Sequence, residues 1–258
     1  MPLCKRFTAL LTLMLMLAGT VVADEGLTMG VALDKAGRQR MLTQHMLKSY
    51  ALTGMKLRIG ADADLRKAAE LFETQLSELT GFAANDAERA QIGKIRLLWD
   101  DLRPELAFPP ELDRAGELND LAELLLRESH QLVLLLEQRS GTVAGHLVNI
   151  SGRQRMLSQR IAKSYLLETW GLGAAGLAQQ YEEAVEEFQA ALSELQAAKI
   201  NTPEINESLA QVLKNWQIFG ISNFSAKYDA RVPSLVVRSM DKILGLMNDT
   251  TALYAQLH

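Results

Sequence analysis

The sequence predicts an all-α protein of two tandem antiparallel four-helix bundles. Three observations predict it. The apolar content is 48% while aromatics are only 6%, so the load falls on Leu, Ala and Met, which are good helix formers. Strand signals are nearly absent, with no sustained Val/Ile/Thr alternation and no Asn-Gly or Asp-Gly turn. The chain also repeats itself. Gly37 to Tyr50 reads GRQRMLTQHMLKSY and Gly152 to Tyr165 reads GRQRMLSQRIAKSY, with ten of fourteen positions identical at an offset of 115. Leu76-Ser77-Glu78-Leu79 returns as Leu192-Ser193-Glu194-Leu195, and Trp99 as Trp216, at nearly the same offset.

Each element has its own signal. Residues 1–23 read as a signal peptide, with Lys5 and Arg6 as the positive region and Phe7 to Ala18 as the apolar run. Val21-Val22-Ala23 supplies the small residues of a cleavage site before Asp24. Thr20 stands where an acylated Cys would follow Leu17-Ala18-Gly19, so no lipid anchor is expected. Cleavage after Ala23 removes Cys4, the single cysteine, and takes the formal net charge from −4 to −6. An acidic, exported, soluble periplasmic protein is expected, and that charge argues against nucleic acid as a partner.

The first module, residues 24–140, reads as four helices. Helix one runs from about Leu27 to Arg58, and Asp62 is the expected N-cap of helix two, which ends near Phe82. Asn85 with Glu88 has the pattern of a capping box for helix three. Pro109-Pro110 breaks the chain before helix four, from about Asp113 to Gln138. The second module, residues 141–258, repeats the plan. Its helix one ends near Trp170, Thr202-Pro203-Glu204 opens its helix three, and Pro233 opens its helix four. Helix three is expected to stop before the polar segment from Ser222 to Ala230. Ser140-Gly141 is the seam, either a true break or a point that one long helix runs through.

Helical spacing puts Leu33, Gly37, Arg40, Met41, Gln44 and Lys48 on one face, with Val148, Gly152, Arg155, Met156, Gln159 and Lys163 matching them. Glycine inside a helix costs about 1 kcal/mol, but it lets a second backbone approach. Guanidinium offers a planar fork of donors for a planar oxyanion. The face therefore reads either as an anion-binding seam or as a packing seam without a ligand. Catalytic and cofactor signals are missing: there is no haem attachment motif, no His-Glu-x-x-His, no Glu-x-x-His pair and no nucleophile elbow, so no enzyme, metal or cofactor is expected. His45, His130, His146 and His258 are scattered and read as surface or cap residues. Trp99, Trp170 and Trp216 read as core or interface residues.

The stretches Ala36-Gly37-Arg38-Gln39-Arg40-Met41-Leu42-Thr43-Gln44 and Ser151-Gly152-Arg153-Gln154-Arg155-Met156-Leu157-Ser158-Gln159-Arg160 resemble the signature of PilJ-type sensor domains. These form the N-terminal region of type IV pilus methyl-accepting chemotaxis transducers and are similar to the periplasmic domains of nitrate/nitrite sensor kinases. His45 departs from the arginine that Arg160 keeps, and Arg38 and Arg153 lie outside the kinase pattern. The resemblance implies binding of a small anion, nitrate or nitrite first, by Arg40 and Arg155. Gly37, Arg38, Met41, Gln44, Gly152, Arg153, Met156 and Gln159 complete the implied site. It also implies that the bound state passes to a partner such as a membrane sensor or transporter. The alternative is a structural or protein-interaction helical module with no small ligand. Two arrangements remain open: the motif helices pair within one chain, or each meets a second chain in a homodimer.

Overall fold

The computed structural model describes residues 27–174, 176–226 and 233–257. The expected leader, residues 1–23, lies outside the described residues. Those described contain eight α-helices and no strand: α1 (Met29–Gly54), α2 (Ala61–Phe82), α3 (Asp86–Glu105), α4 (Leu112–Ser140), α5 (Val143–Trp170), α6 (Leu177–Ala197), α7 (Pro203–Ala226) and α8 (Pro233–Gln256).

Local chemistry explains most of the boundaries. Asn85 accepts from the Glu88 N–H at 2.9 Å while Glu88 accepts from the Ala84 N–H, closing the start of α3. Thr202 accepts from the Ile205 N–H at the start of α7. Gly141 takes a left-handed conformation with φ 61° and ends α4, and Thr142 caps α5 by accepting from the Gly145 N–H, so the seam is a true break. Three boundaries differ from the sequence reading. Gly60, with φ 82°, precedes α2, and Asp62 lies in its first turn, where its charge still complements the helix dipole. Helix α1 ends at Gly54 instead of about Arg58, and α7 continues to Ala226, past Ser222.

Helices α1 to α4 pack in a ring, α1 touching α2 and α4 and α3 touching α4, and α5 to α8 pack in a second ring in the same order. The rings meet chiefly along α1 and α5. The motif helices thus pair within one chain, the first of the two expected arrangements. Each ring is anchored alike. Trp99 packs at a tilt on Phe72 and donates from Nε1 to Glu73; Trp216 stacks on Phe188 and donates to Gln189. The motif side chains Gln39 and Gln154 donate to the carbonyls of Phe72 and Phe188. Trp170 closes the far end of the α1–α5 contact, where a Cβ on Gly54 would come within 2.2 Å of its indole. No helix among the described residues is long and apolar enough to cross a membrane.

Candidate functional site

The site lies where α1 crosses α5. A Cβ built on Gly37 would sit 3.8 Å from the Gly152 Cα, and one on Gly152 would sit 3.8 Å from the Gly37 Cα. Both guanidinium groups reach this crossing: Nη2 of Arg40 and Nη2 of Arg155 each lie within 3.4 Å of either hypothetical Cβ. Arg40 and Arg155 are fully buried, which is rare for a charged side chain without an ion-pair partner.

Their partners obey the repeat. Arg40 Nη1 donates to Asn149 Oδ1 at 2.8 Å and Nη2 donates to the Asn149 carbonyl at 3.0 Å. Arg155 Nη1 lies 2.6 Å from Asp34 Oδ1 and Nη2 donates to the Asp34 carbonyl at 3.1 Å. Asp34 and Asn149 occupy the same motif position, so each arginine reads its counterpart on the opposite helix. Each arginine also meets its own ring's fourth helix, Arg40 at His130 Nδ1 (3.1 Å) and Arg155 at Asn248 Oδ1 (3.4 Å).

The electrostatics of the two halves differ. Asp34 neutralises Arg155 and also accepts from Arg38 at 3.0 Å. Asn149 offers Arg40 no charge. Burial, with Arg155 and Arg153 nearby, lowers the Arg40 pKa to about 9. Burial lowers that of Arg155 also, opposed by Asp34. A guanidinium has only donors, so His130 Nδ1 must accept from Arg40, which fixes the neutral Nε2–H tautomer. Burial and the Arg40 charge lower the His130 pKa to about 4. Arg40 therefore has no carboxylate at ion-pair distance, while Asp34 supplies one to Arg155.

The remaining motif side chains tie the rings crosswise. Lys48 on α1 pairs with Asp241 on α8, and Lys163 on α5 pairs with Glu123 on α4 at 2.6 Å. Burial lowers the pKa of both lysines, and the carboxylates oppose it. Gln44 and Gln159 are buried beside them and donate to Thr43 and Ser158, while His45 Nδ1 meets Gln159 Oε1 at 3.0 Å across the crossing. Arg153 pairs with Glu187 at 2.7 Å and Arg160 with Glu123 at 2.8 Å.

A cavity of about 330 Å³ opens beside Arg40 between α1, α4, α5 and α6, with Arg153, Met156 and His130 in its lining. Met41 lines a second cavity of about 370 Å³, the counterpart of the first by repeat position. Two of the histidines read as surface or cap residues take other places: His45 bridges the motif helices and His130 caps Arg40. Sequence reasoning also missed Asp34, Asn149, Glu123, Asp241 and Asn248. The available signal was that Asp34 and Asn149 hold equivalent polar positions on the motif face. Among the described residues no three His, Cys, Asp or Glu cluster as metal ligands do.

Residues 138–219, from the end of α4 into α7, match the PilJ family, described as the type IV pili methyl-accepting chemotaxis transducer N-terminal region, and so carry a PilJ-type sensor domain. No curated protein and no solved structure matches the chain.

Proposed function

We propose that the chain is an exported ligand-sensing protein, built from two PilJ-like modules (residues 24–140 and 141–258), that binds a small anion where α1 crosses α5. Nitrate and nitrite are the first candidates, through the resemblance of both motif stretches. The observation that carries this reading is Arg40: fully buried, open to a cavity, and bonded only to neutral groups. An uncompensated buried cation is costly, and an anion beside Arg40 relieves that cost. Both rings contribute to the crossing, so occupancy would tighten one ring on the other, and a membrane sensor or transporter would read that change.

One observation favours the second reading, a helical module without a ligand. Arg155, Lys48 and Lys163 already have carboxylate partners within the chain, as a packing seam requires. Titration calorimetry and thermal denaturation with sodium nitrate and nitrite, against sodium chloride at equal ionic strength, separate the two. A binder gains about 2.7 kcal/mol at a hundred times Kd, and Arg40→Ala removes that gain. Identical curves in all three salts would refute the anion reading.

A further inference from the structure

The two cavities beside the motif helices are duplicates that have diverged. By repeat position Met156 corresponds to Met41, Arg160 to His45 and Glu187 to Leu71. On the fourth helices Glu123 corresponds to Asp241, Leu126 to Leu244 and Arg127 to Gly245. Contacts confirm that register: Lys163 meets Glu123 as Lys48 meets Asp241, and Arg40 meets His130 as Arg155 meets Asn248.

The cavity on the Arg40 side has Arg40 at its base, Arg127 exposed at its rim, and Leu126 and Met156 as apolar wall. Its two carboxylates are engaged, Glu187 with Arg153 and Glu123 with Arg160 and Lys163. Arg40 and Arg127 remain, two guanidinium groups with no carboxylate at ion-pair distance among the described residues; Glu137 acts on Arg40 only from beyond Asn149. The duplicate keeps the apolar wall, Met41 and Leu244, but Arg155 does not line it; its cations are Arg58, paired with Asp64 and Asp241, which also line it, and Lys67. Asp34 holds Arg155 as a tethered carboxylate.

Size and wall argue for more than a bare oxyanion. A water takes about 30 Å³ of liquid volume, so 330 Å³ holds on the order of ten non-hydrogen atoms. Nitrate would leave most of that space, and both apolar side chains, to water. Two separated cations flanking an apolar wall match a ligand with two anionic ends and a short hydrocarbon middle.

We propose that this pocket takes one short organic dicarboxylate per chain, one carboxylate on Arg40 and the other on Arg127, and that its duplicate on the Arg155 side takes none. This rests on the anion-sensing reading above and specifies the ligand class of that site.

The test is titration calorimetry of the purified chain with succinate, acetate and nitrate, repeated on Arg127→Ala. Arg127 is exposed at the rim, so the variant keeps the fold, which circular dichroism checks. The expected result is one succinate per chain, bound more tightly than acetate. Arg127→Ala should weaken succinate at least tenfold while leaving acetate and nitrate within about twofold. Nitrate binding that depends on Arg40, with succinate no tighter than acetate or indifferent to Arg127→Ala, overturns this inference and leaves the anion-sensing reading standing. Two succinates per chain overturn the claim about the duplicate. Binding of none of the three anions overturns both.

Discussion

The Arg155 half and the Arg40 half of the crossing share geometry and differ in charge. In both, an arginine reaches across to the same position of the opposite motif helix and to its own fourth helix. On one side that position is Asp34 and on the other it is Asn149. The Arg155 half is thereby balanced in charge: the cation meets a carboxylate and a carbonyl. The Arg40 half has the same bonds with neutral partners and is left with a buried positive charge. The difference teaches how a duplicated seam can keep its geometry while its charge diverges, one copy holding an ion pair and the other an arginine with neutral partners.

The largest expected effect comes from deleting each arginine in turn. Arg155→Ala leaves the Asp34 carboxylate, only 15% exposed, with Arg38 as its remaining cation, and breaking a buried pair costs at most roughly 3–5 kcal/mol. Arg40→Ala leaves behind only neutral acceptors, and losing those bonds costs about 1–3 kcal/mol, offset by removal of the buried charge. Urea denaturation of the two variants should show Arg155→Ala as clearly the less stable. Equal losses would show that Asp34 does not distinguish the halves.

Glycine substitution tests what the halves share. At Gly37 or Gly152 a methyl group would lie 3.2–3.4 Å from both guanidinium groups. Helix propensity favours alanine by about 1 kcal/mol, while overpacking costs about 1–3 kcal/mol. A net loss is expected for Gly37→Ala and Gly152→Ala alike, since both guanidinium groups converge on both positions. Stabilisation by either change would mean that the crossing relaxes freely.

Much of this fold was legible in the sequence because helix boundaries are written locally. Asn85 with Glu88, Thr202 with Pro203, and the Pro109-Pro110 break are short-range chemistry, and each marks a boundary. The motif repeat likewise pointed to one shared polar face. Its partners were not legible, because they come from far along the chain. Nothing near Arg40 in sequence indicates that His130, ninety residues away, will accept its hydrogen bond. Asp34 lay within reach of sequence reasoning, two turns before Arg40, but its partner is the arginine of the other copy. Recognising it required knowing that α1 and α5 pair within one chain. The Asp62 cap failed for a local reason: Gly60 could take the left-handed turn, leaving Asp62 inside the helix.

Acid should separate the halves through their fourth-helix partners, His130 against Asn248. His130 faces Arg40 and Arg153, with Glu137 the nearby opposing charge, and its pKa falls to about 4 from an ordinary 6.5. Between those values the unfolded chain binds a proton that the folded chain refuses, so stability falls as pH drops from about 6.5 towards 4. The slope is up to about 1.4 kcal/mol per pH unit for one group. His45, also lowered to about 4, by burial and Lys48, adds a slope of the same sign. His130→Asn copies the Asn248 side and should remove one of the two contributions. An unchanged slope in that variant would place the acid sensitivity elsewhere.

The smallest change in stability, and the sharpest test of the comparison, is expected from Asn149→Asp. It writes the Asp34 side onto the Arg40 side. The new carboxylate gains Arg40, which already donates to that side-chain oxygen at 2.8 Å, and should raise the lowered Arg40 pKa. It loses the hydrogen bond from Asn149 Nδ2 to Glu137 and replaces it with repulsion between two carboxylates. Glu137 also meets His146 at 2.5 Å, whose pKa is raised by that contact, so part of the repulsion is absorbed there. Gain and loss act on adjacent atoms and have opposite sign, so a net change within about 1 kcal/mol is expected. Anion response should change far more, because the cation that an external anion would neutralise now has a tethered one. Asn149→Asp should melt near the parent temperature in chloride and show none of the parent's gain with added anion. Retention of that gain would mean that the charge difference at positions 34 and 149 does not set where an anion binds.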